Sequence, residues 1–248
     1  MTRRGFKVAI PARYESVRLP GKPLADIHGK PMIVWVYEAA RRSRATEVII
    51  ATDDERIAAA CRTAGARVEL TAAHHASGTD RIAELAARLA WADDDIVVNV
   101  QGDEPLLPPR LVDQVAALLE DEPAAGVATL VTPVRDEREF HDPNVVKVVG
   151  DGAGGALYFS RAPIPYSRDG ALPGSARRHI GIYAYRARSL KAIAAARPCA
   201  PETAERLEQL RALWLGIRIL IADAVEVPPR AVDTAEDLAE VRRLAKPR

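Results

Sequence analysis

The chain has 248 residues, a length that fits one large domain or one α/β domain with a small insertion. Hydrophobic residues make up 48% and charged residues 28%, which is typical of globular proteins and excludes the disordered and fibrous classes. A net charge of +1, from 35 basic and 34 acidic residues, gives no electrostatic basis for binding nucleic acid or an anionic membrane.

The sequence pattern also lacks the segments that direct a chain into a membrane or out of the cell. No apolar run approaches the roughly 18 residues of a transmembrane helix. Residues 1–10 lead directly into a strand pattern, without a secretory signal. Cys61 and Cys199 lack the spacing of a metal site or a disulfide framework. We therefore expect a cytoplasmic protein that binds neither nucleic acid nor membrane.

Short apolar strands alternate with helices along the first half of the chain. The pattern predicts strands at 7–10, 47–52, 67–70, 95–101 and 126–132, and helices at 31–43, 54–64, 79–91 and 108–120. Apolar strands separated by helices of about ten residues indicate βαβ units and a parallel sheet covered on both faces. The expected fold class is therefore α/β, a doubly wound three-layer α/β/α sandwich.

The alternation changes after residue 133. The remaining predicted elements are a hairpin of 145–149 and 155–159, a loop at 162–176, strands at 179–186 and 217–222, and helices at 188–196, 202–214 and 235–245. No repeat and no obvious linker interrupts the chain. We interpret residues 1–248 as a single domain in which about 134–187 form an insertion.

Three cations follow the first strand within one loop. Arg13, Arg18 and Lys22 lie at the carboxyl end of that strand, the edge at which open α/β sheets bind ligands. Arginine forks and a lysine point charge suit a polyphosphate, and Gly21 allows close approach of the backbone. The loop matches neither GxxxxGK[ST] nor GxGxxG. It is therefore interpreted as a phosphate-binding loop of another kind, with a solvated surface loop as the alternative.

Two carboxylates raise the question of a metal site. Asp103 follows a predicted strand and faces the same crevice as the basic loop, so it is either a turn-forming residue or a Mg²⁺ ligand. For Asp233 the spacing alone favours a helix cap, and Thr234 with Asp237 fits the capping-box pattern. The residues by themselves leave the metal ligand set open.

Eight segments in chain order carry the most specific signal of the sequence. They are IPARYESVRLPGKPL, SGTDR, NVQGDEP, NVVKVV, ALYFSRAPIP, RHIGIYAYR, LEQLRALW and VDTAEDL, which run from residue 6 to about 243. Together they resemble the 3-deoxy-manno-octulosonate cytidylyltransferase family, also called CMP-Kdo synthetases. Each segment alone is a weak signal, but their shared order is specific.

The resemblance implies a nucleotidyltransferase that moves CMP from CTP to the anomeric hydroxyl of the sugar acid Kdo. Pyrophosphate would be released, Mg²⁺ would be required, and the product CMP-Kdo would serve lipopolysaccharide biosynthesis. The fold would be of the nucleotide-diphospho-sugar transferase type. The inserted β-hairpin region would form a homodimer, burying apolar residues at 145–159 and 179–186 that a small insertion covers only in part.

The resemblance also implies roles for individual residues. Lys22 and Arg13 would hold the CTP phosphates with Arg18 nearby, and Asp103 and Asp233 would bind Mg²⁺. The cytosine would contact the Pro11 and Ala12 backbone, Ser77 and Gln101. The sugar-acid pocket would be lined by Arg161, His179, Tyr183, Glu208 and Gln209. A cationic Arg or His in this pocket would pair with the Kdo carboxylate.

Three alternative functions were weighed. A cytidylyltransferase for sialic acid or 8-amino-Kdo would have much the same first loop, but RHIGIY and LEQLR favour Kdo. A non-catalytic nucleotide-binding protein is disfavoured because Lys22, Asp103 and Asp233 are all present. A classical dehydrogenase is excluded by the missing glycine fingerprint.

Overall fold

Eleven strands and nine α-helices form the part of the chain that the computed structural model describes, residues 5–15, 18–75 and 77–246. The strands are β1 (Lys7–Ala12), β2 (Asp26–Ile27), β3 (Lys30–Pro31), β4 (Glu47–Thr52), β5 (Arg67–Leu70), β6 (Ile96–Asn99), β7 (Val127–Pro133), β8 (Lys147–Gly150), β9 (Ala156–Ser160), β10 (Arg177–Arg186) and β11 (Ile219–Asp223). The helices are α1 (Met32–Ala40), α2 (Glu55–Thr63), α3 (Gly78–Arg88), α4 (Pro109–Asp121), α5 (Glu137–His141), α6 (Ala187–Ala195), α7 (Ala200–Glu205), α8 (Gln209–Trp214) and α9 (Ala235–Leu244). Among these helices, none is both long enough and apolar enough to cross a bilayer.

The sheet is covered by helices on both faces. Alternate residues of β1 point to opposite sides, so that Val8 and Ile10 pack with α1, α2 and α4, whereas Ala9 packs with α3, α6 and α8. Two separate apolar cores therefore lie on the two sides of one sheet. The predicted three-layer α/β/α sandwich is confirmed.

The central sheet is mixed, not wholly parallel. Its strand order is β11-β7-β10-β6-β1-β4-β5, and β8 and β9 extend from β10. The first βαβ units are parallel as predicted, but β10 runs antiparallel between β6 and β7. The chain leaves β7 at Pro133 and re-enters at Arg177, its register partner, so the returning strand must run backward. Consequently β10, which falls within the expected insertion 134–187, is a central strand of the main sheet.

The single helix predicted at 202–214 is wrong, because the chain forms two short helices there. Arg206 adopts a left-handed backbone conformation with φ of 54°, which ends α7. Leu207 then enters the core, and its N–H donates back to the Glu202 carbonyl. The break places Glu208 at the first turn of α8, directed toward the sheet.

The hairpin of β8 and β9 forms as predicted, but most of its apolar side chains are covered by the chain itself. Val148, Phe159, Ile180 and Ile182 are each at most 5% exposed. The uncovered apolar surface of β9 is limited to Leu157 and Tyr158, at 60% and 39% exposure. The expectation that a small insertion covers these apolar residues only in part agrees with half-buried Val145 and Val146 and exposed Leu157, while the other four are buried.

A buried ammonium anchors the hairpin to the neighbouring loop. Lys147 is fully buried, and its Nζ donates to the carbonyls of Asp142, Val145 and Arg161 at 2.9, 2.6 and 2.7 Å. Burial lowers the pKa of Lys147, and three backbone acceptors compensate the lost hydration. The ammonium thereby fixes the entry and the exit of the hairpin relative to each other.

Replacing Lys147 with Met should lower the free energy of unfolding by about 3 kcal/mol or more, because three buried carbonyls lose their donor. Urea unfolding of Lys147→Met measures this loss. Lys191→Met is the control, since Lys191 also donates to a carbonyl but is 37% exposed. It should lose no more than about 1 kcal/mol. Equal losses in the two variants would contradict the anchoring role of Lys147.

Candidate active site

An open cleft of about 780 Å³ lies at the carboxyl ends of β1 and β6. Its walls include every residue that the sequence assigned to the nucleotide or the metal: Pro11, Ala12, Arg13, Arg18, Lys22, Ser77, Gln101, Asp103 and Asp233. Segments that are more than 200 residues apart in the chain thus meet in one place. The individual roles of these residues remain predictions.

Two glycines permit the close approach of the loops that build the cleft. Gly21 has a φ of 68°, and a Cβ there would lie 3.1 Å from the Tyr14 hydroxyl. It precedes a single 3₁₀ turn, Lys22–Leu24, which sets the direction of the Lys22 side chain. A Cβ at Gly102 would lie 2.8 Å from the Pro11 carbonyl oxygen, so only glycine lets the loop after β6 lie against the end of β1.

The Lys22 ammonium lies between two carboxylates from distant parts of the chain. Its Nζ is 2.7 Å from Asp103 Oδ2 and 3.4 Å from Asp233 Oδ1, and it donates to the Val232 carbonyl at 3.0 Å. The backbone N–H of Val232 in turn donates to the Asp103 carbonyl at 2.9 Å. Arg18 approaches Asp233 from the solvent side at 3.1 Å. The two carboxylates therefore converge on a single cation.

Asp233 does not cap α9. The cap is Thr234, whose hydroxyl accepts from the Asp237 N–H at 3.2 Å, while the Asp237 carboxylate accepts from the Thr234 N–H at 2.9 Å. The predicted capping box is thus present without Asp233, and the capping interpretation of Asp233 from spacing is wrong. Its carboxylate is left to pair with the cations of the first loop.

The donor set fits a magnesium ion shared with a substrate. Mg²⁺ in nucleotide sites is usually held by one or two carboxylates together with phosphate oxygens and water. Asp103 and Asp233 already bind one cationic group, the Lys22 ammonium, at this position. No cluster of three or more His, Cys, Asp or Glu side chains suited to a metal occurs in the described part of the chain. The other ligands would therefore have to come from the triphosphate and water.

Glu104, next to Asp103, carries an unusual carboxyl group that the sequence interpretation did not single out. Burial and the charge of Asp103 raise its pKa to about 8, and its Oε2 has no hydrogen-bond partner among the described residues. Near neutral pH Glu104 mostly keeps its proton.

Arg81, in the motif SGTDR, is a second residue at the cleft to which the sequence interpretation assigned no function. It lies on α3 beside Ser77, which caps the helix by accepting from the Asp80 N–H. Arg81 is 3% exposed and donates to Asp53 at 3.0 Å and to the Ala72 carbonyl at 3.3 Å. Arg81 thereby holds the loops after β4 and β5 at the cleft wall. An arginine on the otherwise apolar face of α3 is the feature of the sequence that could have indicated this role.

A smaller cavity of about 90 Å³ adjoins the cleft, between the sheet and helices α3, α6 and α8. Its lining is Thr79, Asn99, Gln101, Val127, Tyr183, Tyr185, Ile193, Glu208, Gln209, Ala212 and Ile219. Gln101 lines both spaces and marks their junction. Three of the five predicted sugar-pocket residues, Tyr183, Glu208 and Gln209, are brought together here.

The other two predicted sugar-pocket residues line neither space. Arg161 donates through Nε to the Glu205 carbonyl at 2.7 Å and through Nη1 to the Pro143 carbonyl at 2.9 Å. His179 lies 2.9 Å from the Thr129 hydroxyl, which itself donates to the Ile182 carbonyl at 2.7 Å. Because that hydroxyl proton is already used, His179 Nε2 is the donor in this pair.

The imidazole of His179 is held in its neutral form by burial. Burial lowers the pKa of His179 to about 3, so the imidazole is neutral at physiological pH. Burial also raises the pKa of the neighbouring Tyr183 phenol, helped by the charges of Tyr185 and Glu208. The surroundings of His179 thus favour neutral groups, so histidine is the less suited of the two cations, Arg or His, expected to pair with the substrate carboxylate.

The free energy of unfolding should fall as the pH is lowered from about 6.5 toward 3. In this window the unfolded chain binds a proton at His179 that the folded chain does not, so the loss is up to about 1.4 kcal/mol per pH unit. His179→Gln keeps a donor for Thr129 and should make the decline shallower. Denaturant unfolding between pH 3.5 and 7 measures both slopes. The control is His141→Gln at an exposed helix position, and an unchanged slope for His179→Gln would contradict the neutral assignment.

Comparison with known proteins agrees with the motifs and the fold. A family model described as cytidylyltransferase matches residues 8–219. A 3-deoxy-manno-octulosonate cytidylyltransferase from Pseudomonas fluorescens is 58% identical over 247 residues, covering 96% of this chain and 97% of the relative. One of the same name from Thioalkalivibrio sulfidiphilus is 56% identical, with coverages of 97% and 99%.

A solved structure gives the same result in three dimensions. It is a CMP:2-keto-3-deoxy-manno-octonic acid synthetase complexed with CTP, superposable with a TM-score of 0.90 at 43% identity over 97% of this chain and 98% of that one. The resemblance inferred from eight short segments is thereby confirmed. The chain belongs to the 3-deoxy-manno-octulosonate cytidylyltransferase family of nucleotidyltransferases.

Proposed function

We propose that the protein transfers CMP from CTP to the anomeric hydroxyl of Kdo, giving CMP-Kdo and pyrophosphate for lipopolysaccharide biosynthesis. The observation that carries this proposal is the junction at Gln101 of a charged cleft and a polar cavity without cationic lining among the described residues. The cleft suits a nucleoside triphosphate, and the cavity suits the hydroxyl groups of an acceptor. The names of the relatives and the CTP complex of the structural neighbour support the same pair of substrates. We place the reaction in the cytoplasm, where CTP is made.

Different residues of the cleft would bind the base and the phosphates of CTP. The cytosine, a neutral base, would be read by hydrogen bonds from the Pro11–Ala12 backbone, Ser77 and Gln101, which line the cleft. Arg13 and Lys22 would bind the triphosphate, with Arg18 at the outer edge, where its side chain is 65% exposed. Lys22 is only 16% exposed, so its charge is screened less by water than that of Arg18.

The chain contributes mainly positioning and charge neutralisation. The Kdo hydroxyl would displace pyrophosphate from the α-phosphorus in line, and Lys22 and Arg13 would neutralise the charge that gathers on the leaving group. Asp103 and Asp233 would hold Mg²⁺, which supplies Lewis-acid stabilisation of the phosphate oxygens when bound. Lys22 would exchange its two carboxylate partners for phosphate oxygens as CTP and the metal enter. Each such contact is typically worth about 10²–10³ in rate.

The active unit is proposed to be a homodimer. Exposed Leu157 and Tyr158 on β9 lie near α8, which packs on this strand and ends at exposed Trp214, followed by exposed Leu215. A two-fold interface is the commonest way to cover such side chains. Light scattering at micromolar concentration should report twice the 26.9 kDa chain mass, and the mass of a single chain would contradict the proposal.

The reaction itself is tested by pyrophosphate release from each of four nucleoside triphosphates, with Kdo, 8-amino-Kdo and sialic acid as acceptors. CTP with Kdo should give the highest kcat/KM. A polar pocket discriminates sharply, because an ill-matched substrate leaves buried donors and acceptors unpaired. A higher value for 8-amino-Kdo or sialic acid would keep the cytidylyltransferase activity but remove the Kdo assignment. Absence of release with every pair would remove both.

Asp103→Asn and Asp233→Asn should each lower kcat by about two orders of magnitude or more, because a neutral amide replaces a charged ligand. The same variants should keep the melting temperature of the wild type within a few degrees, since Thr234 and not Asp233 caps α9. Steady-state kinetics across a Mg²⁺ titration, together with thermal unfolding, measures both effects. Asp223→Asn, on a surface pair with Arg177, is the matched control. Wild-type Mg²⁺ dependence in either test variant would remove that residue from the metal site.

A further inference from the structure

Asn99 is an anomalous residue in the central strand β6. The neighbouring residues of this strand are Ile96, Val97 and Val98, all buried, and Asn99 itself is 2% exposed. Asparagine is disfavoured inside strands, where β-branched residues fit better. Its Oδ1 is buried and has no hydrogen-bond partner among the described residues. Neither the sheet nor the core accounts for a carboxamide at this position.

The unpartnered carboxamide lies at the wall of the smaller cavity. Asn99 is the register partner of Tyr183 on β10, and both residues line this space with Glu208. The Thr79 hydroxyl donates to the Glu208 carboxylate at 2.5 Å and so fixes its position. Buried polar groups without partners are rare and costly in proteins, so a group of this kind in a cavity wall indicates a ligand that completes it.

The composition of the wall decides which part of a sugar acid can enter. No Lys, Arg or His among the described residues lines the smaller cavity, whereas Glu208 contributes a carboxylate. A second carboxylate placed there would be repelled, while hydroxyl groups would find acceptors. The cavity volume of about 90 Å³, against about 780 Å³ for the cleft, suits a small polar group such as a two-carbon diol.

We propose that Asn99 is a specificity-determining residue whose carboxamide oxygen accepts a hydrogen bond from an exocyclic hydroxyl of the acceptor. An octulosonate in its pyranose form has a carboxylate at C1 and a two-carbon diol, C7 and C8, outside the ring. The diol enters the smaller cavity, and the carboxylate stays on the Gln101 side, toward the basic residues of the cleft. This assignment rests on the proposed function.

Asn99→Leu tests the assignment, since leucine has nearly the same shape without polar atoms. The KM for Kdo should rise about 10- to 100-fold, while the KM for CTP and the kcat stay within a few-fold of the wild type. The melting temperature should not fall, because the variant removes a buried unpartnered oxygen. A merely structural role would give the opposite pattern, a lower melting temperature with an unchanged KM for Kdo.

Two further variants keep this result interpretable. Asn99→Ala removes the same oxygen by truncation and should raise the KM for Kdo to a similar extent, should the leucine variant fold poorly. Thr52→Val is the control, a fully buried polar residue of β4 that lines neither space, and its KM for Kdo should not change. If the wild type turns over CTP and Kdo and both Asn99 variants keep its KM, the role of Asn99 is overturned. If the wild type itself shows no turnover, the proposed function fails instead.

Deoxy analogues of Kdo identify the hydroxyl group. With the wild type, either 7-deoxy- or 8-deoxy-Kdo should show the same rise in KM that Asn99→Leu causes with Kdo. With Asn99→Leu, that analogue should bind as well as Kdo, since the contact is already lost. If 4-deoxy- or 5-deoxy-Kdo shows this pattern and the exocyclic analogues do not, the placement of the diol in the cavity is overturned.

Discussion

The contact of the Lys22 ammonium with Asp103 and Asp233 is the interaction on which the arrangement of the cleft depends. It joins the loops that follow the paired strands β1 and β6 to the segment before α9, which is not part of the sheet. Lys22 and Arg18 carry two positive charges against the two negative charges of Asp103 and Asp233, so the charge of this partly buried site is balanced while the four side chains stay together. A magnesium ion would take the place of the ammonium beside the two carboxylates, and a triphosphate would take the place of the carboxylates beside Lys22. The same side chains therefore hold the cleft together without substrates and would bind the metal and the nucleotide when these enter.

Charge is distributed unevenly on the two sides of Gln101. Among the described residues, the cleft is lined by four cationic side chains and by three carboxylates, those of Glu15, Asp103 and Asp233, whereas the smaller cavity has one carboxylate and otherwise neutral lining. The neutral state of His179 follows the same division, since burial among Thr129, Phe159 and Tyr183 disfavours its protonated form. Anionic groups of both substrates are therefore drawn to one side. This side is where the α-phosphorus and the attacking hydroxyl have to meet.

Local sequence patterns were sufficient for most of the fold and for the basic loop of the cleft, whereas Asp233 was assigned to the cleft only through the family resemblance. Strands such as Glu47–Thr52 and helices such as Pro109–Asp121 follow from periodicity, and residues after β1 and β6 share an edge because parallel strands end there. The break at Arg206 could not be predicted, since a left-handed arginine depends on the burial of Leu207 in the folded chain. The charge of His179 depends on its surroundings in the same way. The sequence pattern places Asn99 in an apolar strand without indicating a further role. Its unpaired side-chain oxygen becomes visible only in the folded structure.

The strand β10, for which the sequence pattern predicted no direction, is also the one that creates the smaller cavity. Because β10 enters the sheet from the cleft edge, Tyr183 becomes the partner of Asn99, and the Gly181 carbonyl lies 3.5 Å from Gln101 Nε2. The register of β10 against β7 shifts between Ile180 and Tyr183, a bulge of the kind that redirects side chains near binding sites. A parallel strand would have entered from the opposite edge and placed other residues beside Asn99. The antiparallel return after the hairpin therefore couples the 134–176 excursion directly to the acceptor side of the site.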